Sequence, residues 1–277
     1  MKKYIFLILV LGFIYNGKAL AQLSIAPTNL FIDSNTRFGT YMVINGSNKA
    51  QEVSIEFFFG YSDSDENGNR VLVDDDSVNA ARYSIADKIR AFPQNFTLAP
   101  NQRQIVRLRV NAENNIPDGT YWARIRTASS PETPPLELQA TDVVSARLGI
   151  TIEQVTGIFY KKGQLSTGIE IQQIRTDLQE DTNILVVRSE YLKTGNSPFL
   201  GTITTTLVNA SGSVVREGSV STSVYFDGVH KQELSLEDIP SGNYTVNVSF
   251  ETSRTDVSAA DLIQMPKVTE STSYIIR

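Results

Sequence analysis

Cysteine is absent from all 277 residues of the chain. This absence excludes disulfides, zinc–thiolate sites and thiol catalysis. Histidine is also scarce: His230 is the only one, so a histidine-based catalytic triad lacks a partner. His230 follows the turn pair Asp227-Gly228, where a solvated loop residue is expected. The composition therefore predicts a protein that is not an enzyme and that carries no cofactor and no metal.

Long apolar runs are missing apart from Tyr4–Ile14 near the N-terminus. Two lysines precede this run, and Ala19-Leu20-Ala21 follows it as a small-x-small cleavage site. The pattern predicts an export signal in residues 1–21, cleaved after Ala21. Because the run is too short for a membrane anchor, no membrane insertion is expected after cleavage. The expected location is a Gram-negative periplasm, with secretion or the cell surface as the alternative.

The charge is acidic. Removing Lys2, Lys3 and Lys18 with the signal changes the net charge from −5 to −8. A surface of this sign argues against nucleic acid as a partner and against general binding to anionic membranes.

Strand patterns dominate the rest of the chain. Val53–Phe57 alternates apolar and polar residues, as does the longer run from Leu136 to Ile152. Sandwich domains need roughly 100 residues each. We therefore predict an all-β protein with two immunoglobulin-like β-sandwich domains, in residues 22–154 and 155–277. The exception is Ser77–Arg90, whose partial helical stripe predicts one helix.

A short internal repeat links the two halves. Ile116–Ala123 and Ile239–Val246 share a Pro-x-Gly-x-Tyr pattern that opens a strand. In both halves the tyrosine, Tyr121 or Tyr244, is predicted to tie the strand end through its hydroxyl, as in a tyrosine corner.

Three segments carry a family resemblance. The opening strand Leu23–Ile32, the block Phe92–Val110 with its Leu-x-Pro turn and Val-Arg-Leu run, and Ile116–Arg126 together resemble the first domain of PapD-like periplasmic pilus chaperones. Asp118-Gly119-Thr120 stands where that family has Arg-Glu-Ser. The resemblance covers about residues 22–154, and the second half is similar only in being rich in strands.

The resemblance implies a periplasmic chaperone that binds an exported, pilin-like subunit by strand addition, with an outer-membrane usher as the candidate second partner. In such proteins the last strand of the first domain lends apolar side chains to the subunit. The corresponding residues here are Leu136, Leu138, Ala140 and Val144. A structural or adhesive surface module without chaperone activity is the alternative.

The same family anchors the terminal carboxylate of its subunit with two cations. The aligned positions here are Asn29 and Gly149, which carry no charge, and Arg147 is the nearest cation that substitutes. Arginines also recur from Arg103 to Arg147. On one sheet face they would form a strip for a carboxylate, and the alternative is cross-strand ion pairing with acids.

The acidic stretch Asp63–Asp74 has partial calcium-loop spacing. Asp63, Asp65, Asn67 and Asp74 fall at ligand positions, with Gly68 at the sharp turn. The flanks read as strands, which favours the alternative of an acidic hairpin tip around Asn67-Gly68.

Overall fold

The computed structural model describes residues 23–132 and 150–277, and these residues form mostly β-strands. The strands of the first half are β1 (Leu23–Ala26), β2 (Asn29–Asp33), β3 (Phe38–Asn45), β4 (Gln51–Phe58), β5 (Tyr61–Ser64), β6 (Arg70–Val73), β7 (Ile89–Phe92), β8 (Asn95–Leu98), β9 (Arg103–Val110), β10 (Gly119–Pro131) and β11 (Ile152–Lys162). Those of the second half are β12 (Thr167–Gln179), β13 (Ile184–Gly195), β14 (Phe199–Asn209), β15 (Val214–Val224), β16 (Gly228–Ser235), β17 (Gly242–Glu251) and β18 (Val268–Ile276). Within the described ranges, no helix has the length and apolarity to cross a membrane.

The first half is a sandwich of two sheets. One sheet has the order β1-β3-β9-β7, and the other has the order β2-β11-β10-β4-β8. Strand β9 shows why the sheets pack: Val106, Leu108 and Val110 are fully buried while the residues between them are exposed. Ile158 and Tyr160 of β11 enter the same core from the opposite sheet.

The second half is another sandwich. A three-stranded sheet, β12-β13-β16, packs on a four-stranded sheet, β15-β14-β17-β18. Leu185, Leu207 and Phe250 lie fully buried between them. The two sandwiches confirm the all-β fold class predicted from the strand patterns.

Strand β11 runs through Gln154, the residue after which the sequence patterns predict the domain boundary. It pairs with β10 from Ile152 to Lys162, and its inward side chains belong to the first core. We therefore place the domain boundary in the turn at Gly163, which has a positive φ of 66°.

The helix predicted over Ser77–Arg90 is shorter than expected. Helix α1 spans Ser77–Tyr83, and the Asp76 carboxylate accepts a hydrogen bond from the Asn79 N–H at its N-terminus. The chain then leaves the helix because Ile85 and Ile89, both 1% exposed, enter the sandwich core, and Ile89 starts β7. Tertiary packing therefore overrides the local helical stripe.

Both predicted tyrosine corners are confirmed. The Tyr121 hydroxyl donates to the Pro117 carbonyl oxygen at 2.9 Å, and the Tyr244 hydroxyl donates to the Pro240 carbonyl oxygen at 2.7 Å. Each bond ties the entry of a long strand, β10 or β17, to the turn before it.

We expect Tyr244→Phe to lower the free energy of unfolding by about 1 kcal/mol, since the buried corner loses one hydrogen bond. Denaturant unfolding of the purified protein measures the change. Tyr274→Phe is the matched control, because Tyr274 faces Tyr244 across the β17–β18 pair and sits partly buried in the same core. Equal losses in the two variants would contradict a specific role for the corner bond.

Candidate partner-binding site

The predicted partner-binding residues lie outside the described part of the chain. Leu136, Leu138, Ala140, Val144 and Arg147 all fall between positions 132 and 150. The structure does describe the strand that follows them, β11.

One edge of β11 is only half covered. On one side β10 pairs with β11 over its whole length. On the other side β2 pairs in parallel with Gly157–Lys161 only. Among the residues the structure describes, no strand pairs with Ile152–Thr156 on that side. We call this segment the open edge.

The backbone direction at the open edge follows from its neighbours. The Gly157 N–H donates to the Thr28 carbonyl oxygen at 3.0 Å, and the Lys161 carbonyl accepts from the Ser34 N–H at 2.9 Å. Because N–H and C=O groups alternate in direction along an antiparallel strand, Glu153 and Val155 direct theirs to the same side as Gly157. Along the open edge, about 17 Å of strand, the backbone N–H and C=O groups of Glu153 and Val155 thus point to the uncovered side.

The outer face of the sheet that contains β10 and β11 packs against the second sandwich. Trp122 stacks on Phe59 at 5.7 Å between ring centroids and lies 4.8 Å from the ring of Tyr225. Phe159 and Leu200 belong to the same buried cluster, together with Tyr61 and Leu262. The seven buried residues of this cluster, which we call the aromatic junction, join the two sandwiches.

A cation lies next to the open edge. Arg124 of β10 is the cross-strand partner of Gly157, and its Nε donates to the Gly60 carbonyl at 3.1 Å. Its guanidinium carbon lies 5.9 Å from the centre of the Tyr225 ring. Within the described ranges Arg124 forms no ion pair.

The charge around Tyr225 is predominantly positive. Burial raises the pKa of Tyr225, and the positive charges of Arg124, Arg254 and Arg70 oppose that shift. Asp256 neutralises Arg254 through an ion pair at 2.6 Å. Two guanidinium groups beside the junction are left without an acid in the parts of the chain that the structure covers.

Gly157 lies beside Asn29 on β11, and Gly149, the position given by the sequence alignment, lies outside the described residues. Asn29 and Gly157 are partners in the parallel β2–β11 pair. A Cβ on Gly157 would lie 2.9 Å from Asn29 Oδ1 and 3.7 Å from Arg124 Nη1. Arg124 therefore reaches the place where a side chain from residue 157 would project. The sequence alone does not indicate this contact, because it depends on strand register, which is set by the tertiary structure.

The described arginines do not share one sheet face, which was the condition for a strip that receives a carboxylate. Arg124 and Arg126 lie on the outer face of the sheet containing β10, whereas Arg103, Arg107 and Arg109 lie on β9 in the opposite sheet. Arg126 pairs with Glu56 at 3.5 Å and Glu153 at 3.4 Å. For Arg126, the alternative of cross-strand ion pairing is thus confirmed.

The acidic stretch forms a hairpin that contacts the second sandwich. Strands β5 and β6 pair, and the Asp65 carboxylate accepts hydrogen bonds from Asn67 and Asn69 inside the turn. The Ser64 hydroxyl accepts from the Val229 N–H at 3.0 Å, and Arg188 donates to the Asn67 carbonyl at 3.2 Å.

These contacts favour a structural role for the stretch over calcium binding. A Cβ on Gly68 would lie 2.9 Å from the Lys231 side chain, so the glycine permits the close approach. In the described residues no group of three or more Asp, Glu or His side chains is arranged to hold a metal ion.

His230 is not the solvated loop residue expected from its sequence context. It lies on β16 beneath the hairpin, and its Nε2 is buried without a hydrogen-bond partner. Burial, with a smaller contribution from the charge of Arg70, lowers the pKa of His230 to about 4. The imidazole is therefore neutral at pH 7.

We expect the stability of the protein to fall as the pH drops from about 6.5 toward 4. In that window His230 takes up a proton in the unfolded state but not in the folded state, so protonation favours unfolding. The loss attributable to His230 is about 2–3 kcal/mol at the low end. Urea unfolding at about pH 7 and about pH 4.5 measures it. A His230→Gln variant with the same pH dependence as wild type would contradict this assignment.

Comparison with known proteins was informative at the level of structure only. No protein-family model and no curated protein sequence matches the chain. Among solved structures, the YadV chaperone aligns with 91% of this chain and 100% of its own, at 11% identity and a TM-score of 0.47. The Pseudomonas aeruginosa CupB2 chaperone aligns at 10% identity over 90% and 98%, with a TM-score of 0.44.

A third similar structure is the CsuC–CsuE chaperone–tip adhesion subunit complex of Acinetobacter baumannii, at 11% identity, coverages of 90% and 98%, and a TM-score of 0.44. Each of the three contains a chaperone, and the third comes from chaperone-usher Csu pili. The similarity concerns the fold.

Proposed function

We propose that this chain is a periplasmic chaperone that binds an exported, pilin-like polypeptide by adding a strand of the client to the open edge of β11. The observation that carries this proposal is the absence of a strand partner for Ile152–Thr156 among the described residues, next to a fully paired continuation of the same strand. An unpaired edge of this kind is a template for another chain.

Two apolar side chains near the edge are exposed. Ile150 is 61% exposed and Val155 is 48% exposed, and because they are an odd number of positions apart, strand alternation puts them on opposite faces. Leu136, Leu138, Ala140 and Val144 precede the edge in the chain and alternate in step with Ile150, and we include them in the proposed contact.

The positive groups beside the edge supply a site for a carboxylate. Arg124 lies across from Gly157 with its amino groups free of acids in the described residues. Pairing between a guanidinium and a carboxylate is favourable and directional, particularly near a buried junction. The terminal carboxylate of the client is the group that this arrangement fits, and Arg124 takes the role that the family resemblance gives to cations at other positions.

The mechanism requires no nucleotide. Backbone hydrogen bonds and burial of apolar client side chains on the edge supply the free energy of binding. The predicted export signal places the encounter in the periplasm, where an outer-membrane usher is the expected acceptor of the loaded client.

We expect Val155→Pro to abolish client binding while the domain stays folded. Its N–H points to the open side, so proline removes a donor for the client strand and leaves the β10 ladder intact. The measurement is a pull-down from a periplasmic extract, with mass spectrometry of the retained proteins. Val155→Thr is the matched control, because it keeps the N–H and the β-branched shape.

Loss of the client in Val155→Pro but not in Val155→Thr supports strand addition. A client retained by the proline variant would overturn it, and the absence of any client in wild type would favour a structural or adhesive module instead.

We expect Arg124→Gln to weaken binding of a client peptide about 10-fold or more, as removal of a partner from a charge-assisted hydrogen bond does. The peptide is the C-terminal segment of the client identified above, and titration calorimetry gives its Kd. The same peptide with an amidated C-terminus tests the assignment: it should bind wild type and Arg124→Gln with equal affinity. An amidated peptide that still distinguishes the two proteins would show that Arg124 acts through the junction and not through the carboxylate.

A further inference from the structure

The outward face of the sheet β1-β3-β9-β7 is basic in an acidic protein. None of its four strands contains Asp or Glu. Arg103, Arg107 and Arg109 alternate along β9 with residues of the core, and Arg90 of β7 lies across from Arg109. These four exposed arginines, together with the apolar residues between them, form what we call the basic face.

The guanidinium groups of the basic face have no acidic partners among residues 23–132 and 150–277. Arg90 donates only to the backbone carbonyls of Asp87 and Ile89, at 3.1 and 2.8 Å. Arg109 lies over the ring of Phe38 at 5.6 Å from its centre. Elsewhere in the protein exposed arginines such as Arg126 and Arg175 are paired with glutamates. Arg124 and Arg70 also lack an acid partner in the described residues, whereas this face holds four such arginines on the paired strands β7 and β9.

Large apolar side chains stand between the arginines. Phe38 is 58% exposed, Phe92 is 59% exposed and Ile105 is 56% exposed. The strand register places Phe38 in one row with Arg109 and Arg90. The next row holds Thr40, Arg107 and Phe92, and Met42 faces Ile105 in the row after that. Cationic and apolar groups are thus found together over about 20 Å of strand.

We propose that the basic face docks on an anionic phospholipid surface. Guanidinium groups pair with lipid phosphates, while neighbouring aromatic and aliphatic side chains enter the boundary between headgroups and acyl chains. The pattern fits lipid better than an acidic protein, since protein interfaces gather their apolar residues at the centre and their charges at the rim. On the basic face, by contrast, Phe38 shares a row with two arginines and Phe92 shares a row with Arg107.

The acidic net charge does not oppose this docking. Charges farther away than about 10 Å are screened at moderate salt, so the lipid responds to the arginines nearest to it. The open edge belongs to the opposite sheet, so a docked molecule can still bind a client.

The test is co-sedimentation of the full mature protein with vesicles of phosphatidylglycerol and phosphatidylcholine, against vesicles of phosphatidylcholine alone. We expect binding to the anionic vesicles only, with a decrease as salt is raised. Arg103→Gln with Arg107→Gln should weaken binding about 30-fold, at about 5-fold for each arginine. Phe38→Ser with Ile105→Ser should weaken it as well, with a salt dependence like that of wild type.

The control is Arg175→Gln with Lys267→Gln, which changes the net charge equally on the second sandwich and should bind as wild type does. Circular dichroism and thermal unfolding check that each variant is folded. Equal binding to both kinds of vesicle, no binding to either, or equal losses in the control and the basic-face variants would each overturn the proposal. Binding to soluble polyglutamate without binding to vesicles would overturn it in favour of an acidic protein partner.

Discussion

The incomplete cover of β11 by β2 is the constraint from which the proposed client site follows. The first segment of the chain begins in one sheet as β1 and crosses to the other sheet at Pro27-Thr28 before it continues as β2. Pro27 has no N–H for a ladder, and the first bond of this segment to β11 is that from the Gly157 N–H to the Thr28 carbonyl. Since β2 starts only at Asn29, it pairs with Gly157–Lys161, and among the described residues no strand pairs with Ile152–Thr156 on that side. A straight first strand would have closed this edge.

The second requirement is that the two sandwiches hold a fixed position beside that edge. The aromatic junction brings Trp122 and Phe159 of the first sandwich against Tyr225 of the second. The β5–β6 hairpin adds polar contacts at another point of the boundary, through Ser64 and Asn67. Two separate contact regions restrict the rotation of one sandwich relative to the other more than a single region would. Arg124 lies between the aromatic junction and the open edge. It contacts both sandwiches, because its Nε donates to the Gly60 carbonyl and its guanidinium lies over the Tyr225 ring.

Charge is distributed unevenly over the first sandwich, and each sheet face has its own character. On the outer face of the β10 sheet, Arg126 is paired with Glu56 and Glu153, while Arg124 has no acid within the described residues. On the outer face of the opposite sheet, four arginines alternate with apolar side chains. The overall acidity of the chain conceals both features, because net charge sums over surfaces that point in different directions. It argued against binding to anionic membranes, and the docking proposed for the basic face concerns one side of the molecule only.

The sequence by itself determined the strands, the tyrosine corners and the number of sandwiches. Period-2 alternation and Pro-x-Gly-x-Tyr turns are local signals, and Tyr121 and Tyr244 behave as those signals predict. Only the tertiary structure decided which residues meet: that Gly157 lies beside Asn29 and Arg124, that His230 is buried under a hairpin from the other sandwich, and that Ile85 and Ile89 end the helix early. The physical reason is that register, sheet order and domain packing depend on contacts between residues far apart in the chain, and a local pattern contains no record of its distant partner.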